Sequence, residues 1–395
     1  MQKWCTIECI MSIFSGFGGK KGNYTLAATV DEHSLVFVLL RNTPSGPQVE
    51  RHGIHHSTTF PGTYVLDELL SQLRTTFPIR QLVVSFDAPY FEIQSMEQSI
   101  ARVSPTQEIT RGEAYRIASK MIELAERRLR RQIFEESGIL PNDFVIQKAN
   151  IFHWKIDGYA VDKLEGYKGE EVEGLVLGSF LREDYADFVA KLQKKHTLAV
   201  VSLVHPFEGA QQTGISGIFV HFTEEKTQVL AQNKEMFALT KSFSPGASRF
   251  RDVFSEEFGM VENIAREFEE NYIKGSLSEE VRAKIHSFLL PEIYNFGTII
   301  QEELGGIKIS TPPQVYLFGH GIRFPEVLQL FAFKDSKNLP FQGKPHVEIL
   351  FPTGANTHIA APKNFDARYT PVFFLTEFAY ANAKEAHRYF STQKI

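Results

Sequence analysis

Residues 217–231 read GIFVHFTEEKTQVLA. An apolar run, GIFVHF, leads into the polar tetrapeptide TEEK and a second run, TQVLA, which predicts a strand, a tight turn and a returning strand. The turn carries Glu224 and Glu225, and His221 sits near the end of the entering strand. Whether this hairpin holds an anion or is an ordinary turn depends on what the rest of the chain places around it.

The same pattern appears from Tyr24. YTLAATV, DEHS and LVFVLLR (24–41) again read strand, turn, strand, followed by a hydrophilic loop-like piece with His52, His55 and His56. A helical run, VLDELLSQLRTTF, and the strand QLVVSFD come next. Residues 104–137 give the longest helical signal, with Ser104 or Thr106 as cap and Ile117, Ile122, Leu124 and Leu129 as the buried stripe. Within it, RRLRR at 127–131 is flanked by Glu123, Glu126, Glu135 and Glu136 and reads as a solvated helix face. Two strands follow, DFVIQKANIFHWKIDGYAV and EVEGLVLGSFL, then the helix REDYADFVAKLQKKH and the strand TLAVVSLV. HPFEGAQQTGISG (205–217) marks an internal boundary, after which the hairpin pattern starts again. Helices are predicted at 249–273 and 278–304, then the strand QVYLFG, the helix FPEVLQLF, the strand HVEIL and a last helix around TEFAYANAKEAHRYF. Two halves that each begin with a β-hairpin predict tandem α/β domains with ligand space between them.

Composition excludes several classes. With 395 residues the chain is long enough for several subdomains, and 43% hydrophobic with 23% charged residues is ordinary for a globular protein. A net charge of −5 gives no footprint for bulk nucleic-acid binding. The 34 phenylalanines favour sheet-based cores over a helical bundle. The two cysteines, Cys5 and Cys9, form neither a disulfide framework nor a zinc pattern, and their scarcity fits a reducing, cytoplasmic setting. The H-x-x-H-H group lacks acidic neighbours and reads as solvated loop histidines, so no metal site is expected. No G-x-S-x-G elbow, H-E-x-x-H or P-loop is present, so no catalytic residue is assigned, and His205 and His221 read as structural or exposed.

The N-terminal stretch MQKWCTIECIMSIFSGFGGKKG has apolar residues at helical spacing and lysines at its end. It reads either as an interfacial amphipathic helix or as a loose tail, and Met11 offers an alternative start.

Four segments, in order, resemble the actin-like ATPase superfold, in particular the bacterial cell-division FtsA family, with PilM as the second match. YTLAATVDEHSLVFVLL stands at the first phosphate hairpin. PTQEITRGEAYRIASKMIE with NIFHWKIDGYAVDKLEGYKGEEVEGLVLG resembles the inserted FtsA-type subdomain. GIFVHFTEEKTQVLA stands at the second phosphate hairpin, and VYLFGHGIRFPEVLQL resembles the adenosine-side turn. The resemblance implies an α/β, actin-like (ribonuclease H-like) two-lobed fold with a small inserted α+β subdomain. Its parts are a tail at 1–22, a first lobe at 23–86 and 183–206, and the insert at 87–182. A second lobe at 207–248 and 306–395 carries a helical subdomain at 249–305.

The resemblance also implies a nucleotide site. Its positions here are Thr29, Asp31, His221, Thr223, Thr227, Gly246, Gly319 and Gly321. Both clamps of the superfold use turn glycines for backbone approach to phosphate and an aspartate for the metal. Here Thr29 and His221 fall on the aspartates, while Asp31, Thr223 and Glu224 fall on glycines; Thr227 agrees with the pattern. Asp31, Glu32, Glu224 and Glu225 are expected to point at a phosphate tail. Each like-charge contact at ~4 Å costs about 1 kcal/mol in water and about 4 at a partly buried site, against about 8 kcal/mol for micromolar binding. The expectation is ATP and Mg²⁺ binding that is weak or lost, and a scaffold in place of a working ATPase. By resemblance the partners are an FtsZ-like tubulin homologue and further copies of the chain, with peripheral membrane contact at the inner face. The alternatives are an actin-like ATPase with rearranged loops and a PilM-like pilus-assembly adaptor.

Overall fold

The structure is a computed structural model that describes residues 23–57, 61–232, 237–304, 314–332, 345–355, 357–359, 361–362 and 365–392, with side chains except at 237–239 and 382–392. The N-terminal stretch, with Cys5, Cys9 and the predicted interfacial helix, lies outside the described residues.

In chain order the first half comprises β1 (Tyr24–Val30), β2 (Ser34–Thr43), β3 (Gly46–His56), α1 (Gly62–Arg74), β4 (Ile79–Phe86) and β5 (Phe91–Ala101). It continues through α2 (Arg111–Ser137), β6 (Phe144–Ile156), β7 (Tyr159–Ala160), β8 (Glu171–Arg182), α3 (Glu183–Lys195), β9 (Val200–Leu203) and α4 (Pro206–Gln212). The second half comprises β10 (Gly217–Phe222), β11 (Thr227–Gln232), β12 (Phe237–Phe243), α5 (Ser248–Phe258), α6 (Glu262–Ile273) and α7 (Glu279–Glu303). It ends with β13 (Gln314–Gly319), β14 (His346–Ile349) and α8 (Thr370–Thr392).

The two principal sheets repeat one plan. Their orders are β3-β2-β1-β4-β9 and β12-β11-β10-β13-β14. In each, the opening hairpin and the third strand are antiparallel, and the next two strands run parallel to the first. Central strands covered on both faces read as continuous apolar runs, not alternating ones. That is why LAATV, LVVSF, GIFVHF and VYLFG stand out, and β1 and β10 are buried over nearly their whole length. Helix α1 closes one face of the first sheet through Leu66, Leu69, Leu70 and Leu73, at three- and four-residue spacing. The other face is covered by α8, whose Val372, Phe373 and Leu375 pack with Ala27, Val36, Val38 and Val83. In the second lobe α5 to α7 bury Phe250, Phe254, Ile285, Leu289, Ile293 and Phe296 against β10, β11 and β13.

Between β4 and β9 the chain builds a third sheet of order β5-β8-β6-β7, with α2 across it. Helix α2 starts at Arg111, not near 104, because the Thr110 hydroxyl accepts from the Glu113 N–H at 3.2 Å and caps it there. Its buried stripe is Ile117, Met121, Ala125, Leu129 and Ile133, while Ile122 and Leu124 are half-buried. Arg127, Arg130 and Arg131 pair with Glu123, Glu126 and Glu135, as a solvated face requires.

Three further expectations are corrected. The piece bearing His52, His55 and His56 is strand β3, because β2 continues into a full antiparallel ladder with it. Alternation along that strand sends His52 to Phe365 and Tyr369 and His55 onto Phe37, so the histidines do not converge. The helical stretch 249–273 is two helices, because Gly259 at φ 63° ends α5. FPEVLQLF forms a short 3₁₀ turn at Pro325–Gln329 and not a full helix. Among the described residues, no helix is long and apolar enough to cross a membrane.

Candidate functional site: the cleft between the two lobes

Ligands of open parallel sheets bind beyond the carboxyl ends of the strands, and here those ends from both lobes meet. The turn after β1 supplies Asp31, the end of β4 supplies Asp87, and the end of β13 supplies His320. His320 Nε2 lies 3.1 Å from Asp31 Oδ2 and 3.6 Å from Asp87 Oδ2. The His320 backbone N–H donates to the Phe222 carbonyl at 2.7 Å, which anchors the residue at the tip of the second sheet.

Asp31 is a locked turn residue. Its Oδ1 accepts from the His33 N–H at 2.6 Å and from the Ser34 N–H, and its Oδ2 accepts from the Ser34 hydroxyl. Burial would raise this carboxyl, but the hydrogen bond and charge of His320, with the Ser34 and His33 donors, hold it well below the usual range. Burial would likewise keep His320 neutral. The hydrogen bonds and charges of Asp31 and Asp87 instead raise it well above an ordinary histidine.

The second hairpin is closed on itself. Thr223 Oγ1 donates to the Lys226 carbonyl at 2.9 Å, the Lys226 N–H donates back at 3.2 Å, and the Thr223 N–H also reaches the Lys226 carbonyl. The turn then packs on the 244–247 loop. The Ala247 and Ser248 N–H groups donate to the Thr223 and Glu224 carbonyls at 2.9 Å, and Thr227 Oγ1 donates to the Pro245 carbonyl at 2.8 Å. A Cβ on Gly246 would sit 2.3 Å from the Lys226 nitrogen, so this glycine lets one protein turn press on another. Gly319 has φ +100°, and a Cβ there would meet the Phe222 carbonyl oxygen at 2.3 Å. Gly321 packs on Phe250 and Ala247. Thr29 is buried in β1 opposite Ser85 of β4.

The acidic side chains do not all face the cleft, contrary to expectation. Glu224 turns to Arg251, 2.6 Å away, which also holds Glu269 at 3.0 Å. Burial would raise Glu224, but the charge and hydrogen bond of Arg251 lower it. Glu225 makes no ion pair among the described residues, and burial with the charges of Glu224, Glu32 and Asp252 raises its carboxyl against the opposing charge of Arg251. Lys226 is buried and pairs with buried Glu92 of β5 at 2.8 Å. His221 is buried too, stacked on Phe318 with ring centroids 4.9 Å apart, and its Nδ1 lies 3.2 Å from Gln228 Oε1. Burial pushes it down to about 4, and the nearby imidazole of buried His205, which caps α4, is lowered in the same way. Both are core histidines, as the bland reading of the sequence has it.

The turns that would approach phosphate are bonded to protein partners. Among the described residues, the cation between Asp31 and Asp87 is His320, and Glu32 and Glu225 add negative charge nearby. Sequence reasoning missed Asp87, Glu92 and Lys226. Only Asp87 had a local signal, an acid directly after the parallel strand LVVSF.

A second concave feature, of about 370 Å³, lies between the third sheet and α4 and α8, lined by Lys148, Asn150, Phe152, Gln211, Gln212 and Phe378. Lys148 Nζ is 2.9 Å from Glu208 and 4.9 Å from the Phe378 ring centroid. Gln211 Nε2 is buried with no hydrogen-bond partner among the described residues. Strand β6 pairs with β8 on one side and, at Lys155 and Ile156, with β7 on the other, where the Val161 N–H also donates to the Trp154 carbonyl at 2.9 Å.

No family model and no curated protein matches the sequence. Among solved structures, one described as the PilM-PilN type IV pilus biogenesis complex aligns with a TM-score of 0.61 at 14% identity, covering 91% of this chain and 98% of that one. The ethanolamine utilization protein EutJ from Carboxydothermus hydrogenoformans gives 0.48 at 11% identity, over 93% and 99%. MreB5 of Spiroplasma citri bound to ADP gives 0.45 at 10% identity, over 92% and 98%. At these identities the likeness is one of fold, and the fold, with its two sheets of one repeated order, is the actin-like ATPase fold.

Proposed function

We propose that this chain is an actin-fold adaptor of the PilM kind that has exchanged nucleotide for internal contacts and holds a protein partner without hydrolysing ATP. The observation that carries the reading is His320 lodged between Asp31 and Asp87, where the superfold would bring phosphate between its lobes. The lobes are joined there by side chains of the chain itself, so nothing needs to be bound for the cleft to close.

The solved PilM structure is described as a complex with PilN in type IV pilus biogenesis, and a comparable partner here is a short segment of another protein. The cleft of Lys148, Asn150 and Phe378 suits a short peptide, whose main-chain carbonyl would meet the buried Gln211 amide. The division form of the same reading has the FtsA-type partners. These are an FtsZ-like tail on the helices at 249–305, self-association into filaments, and membrane contact through residues 1–18. Binding of an FtsZ tail peptide, and loss of liposome sedimentation on deleting residues 1–18, would favour that form over the pilus one.

The test of the shared reading is phosphate release from Mg-ATP by the full chain, together with its sedimentation with and without ATP. Turnover at background and assembly indifferent to nucleotide support the adaptor. ATP-dependent assembly, or turnover abolished by Gly319→Val, overturns it.

A further inference from the structure

We propose that Asp31, Asp87 and His320 form a site for a divalent first-row transition metal that ties the two lobes together without any nucleotide. Two independent observations carry it. The first is geometric. One ligand atom from each residue lies within 4.8 Å of the others, with His320 Nε2 at 3.1 Å from Asp31 Oδ2 and 3.6 Å from Asp87 Oδ2. Oxygen and nitrogen ligands held about 2.0–2.2 Å from a tetrahedral ion stand roughly 3.3–3.6 Å from each other. The donors therefore already stand near the spacing of a coordination shell, which the imidazole joins by releasing its Nε2 proton to solvent as the ion binds.

The second observation is Asp87 itself. The residue is 5% exposed, and the partner its carboxylate has among the described residues is the His320 nitrogen, at a long 3.6 Å. A carboxylate taken largely out of water with one distant partner is poorly compensated, and an ion between the three residues would satisfy it. Asp31, in contrast, is held by the His33 and Ser34 donors, the kind of outer support that orients a ligand.

The donor set selects the metal. An imidazole with two carboxylates suits zinc, manganese or iron, whereas magnesium and calcium prefer oxygen alone. Two carboxylates also balance the charge of a divalent ion. Three protein ligands leave a position for water, as in open zinc sites. Asp31 and Asp87 follow strands of the first sheet and His320 follows a strand of the second, so a bound ion would bridge the lobes.

The experiment uses the full chain stripped with a chelator and titrated with zinc chloride, followed by calorimetry and by Tm, with magnesium in a parallel titration. The expected result is one equivalent of zinc that raises Tm by several degrees at ~100-fold excess over Kd, while magnesium leaves Tm unchanged. Asp87→Asn and His320→Gln should each weaken that equivalent by ~100-fold or more, with far-UV circular dichroism confirming the fold. Zinc held by Cys5 and Cys9, or by His52, His55 and His56, would persist in both variants. Binding that is the same in wild type and Asp87→Asn overturns the proposal, as does an equal Tm rise with magnesium. Should both variants unfold, cobalt(II) added to the wild type decides. The visible absorption of a four-coordinate site with imidazole and carboxylate donors supports the proposal, and its lack or a thiolate charge-transfer band contradicts it.

Discussion

Lys226 Nζ and Glu92 Oε1 lie 2.8 Å apart with side chains 3% and 0% exposed, joining the second hairpin to the third sheet across 134 residues of sequence. Removing one partner of such a pair leaves a buried charge uncompensated and costs about 3–5 kcal/mol. Glu92→Gln or Lys226→Met alone is expected to lower stability by about that amount in urea unfolding. The double replacement Glu92→Leu with Lys226→Met should recover most of it. Equal losses in single and double variants would show that the pair is not a closed unit.

Gly246 and Gly319 separate a ligand-binding glycine from a packing one. A methyl at Gly246 would collide with the Lys226 nitrogen, and one at Gly319 with the Phe222 carbonyl, both at 2.3 Å. Gly246→Ala and Gly319→Ala are each expected to cost at least about 1–3 kcal/mol through overpacking, and the second adds strain from its positive φ. Gly138, at φ +70° with open space around its Cβ position, is the control. Gly138→Ala should cost only about 1–2 kcal/mol. Thermal unfolding of the three variants would expose the error if Gly246→Ala proved as mild as the control.

Acid should weaken the fold through its core histidines. His221 is held neutral by burial, down to about 4, against 6.5 for an ordinary imidazole. Between those values the unfolded chain binds the extra proton and the folded chain does not, so stability falls as pH drops through about 6.5 towards 4. His221 alone contributes about 3 kcal/mol over that window, and His205 acts in the same direction. Chemical unfolding at several pH values should show this slope, and His221→Gln should flatten it. An unchanged slope in that variant would place the titration elsewhere.

The outline of the fold was legible because its signals are local. Each lobe opens with a hairpin whose turn is polar and whose strands are apolar throughout, and VVSF and VYLF mark the parallel strands beside them. Order along the chain is what singles out Asp31, His221, Thr223 and Gly319 in the sequence. What they do was not legible. Glu224 turns from the cleft because Arg251 waits on α5, and His320 meets Asp31 across 289 residues (320 − 31) only once both sheets have formed. The histidines of β3 were misplaced for a related reason. Their polarity marks a strand with one open face, and only the ladder with β2 shows that it is a strand.

The claim at the centre of this account is that side chains and turns of the protein fill the ground where the fold would otherwise hold phosphates. Its most direct test is isothermal titration of the full chain with ATP and Mg²⁺. The account predicts no saturable binding below about 1 mM, the equivalent of less than about 4 kcal/mol. A saturable micromolar isotherm, weakened by Gly321→Val in a variant that keeps its fold, would contradict it.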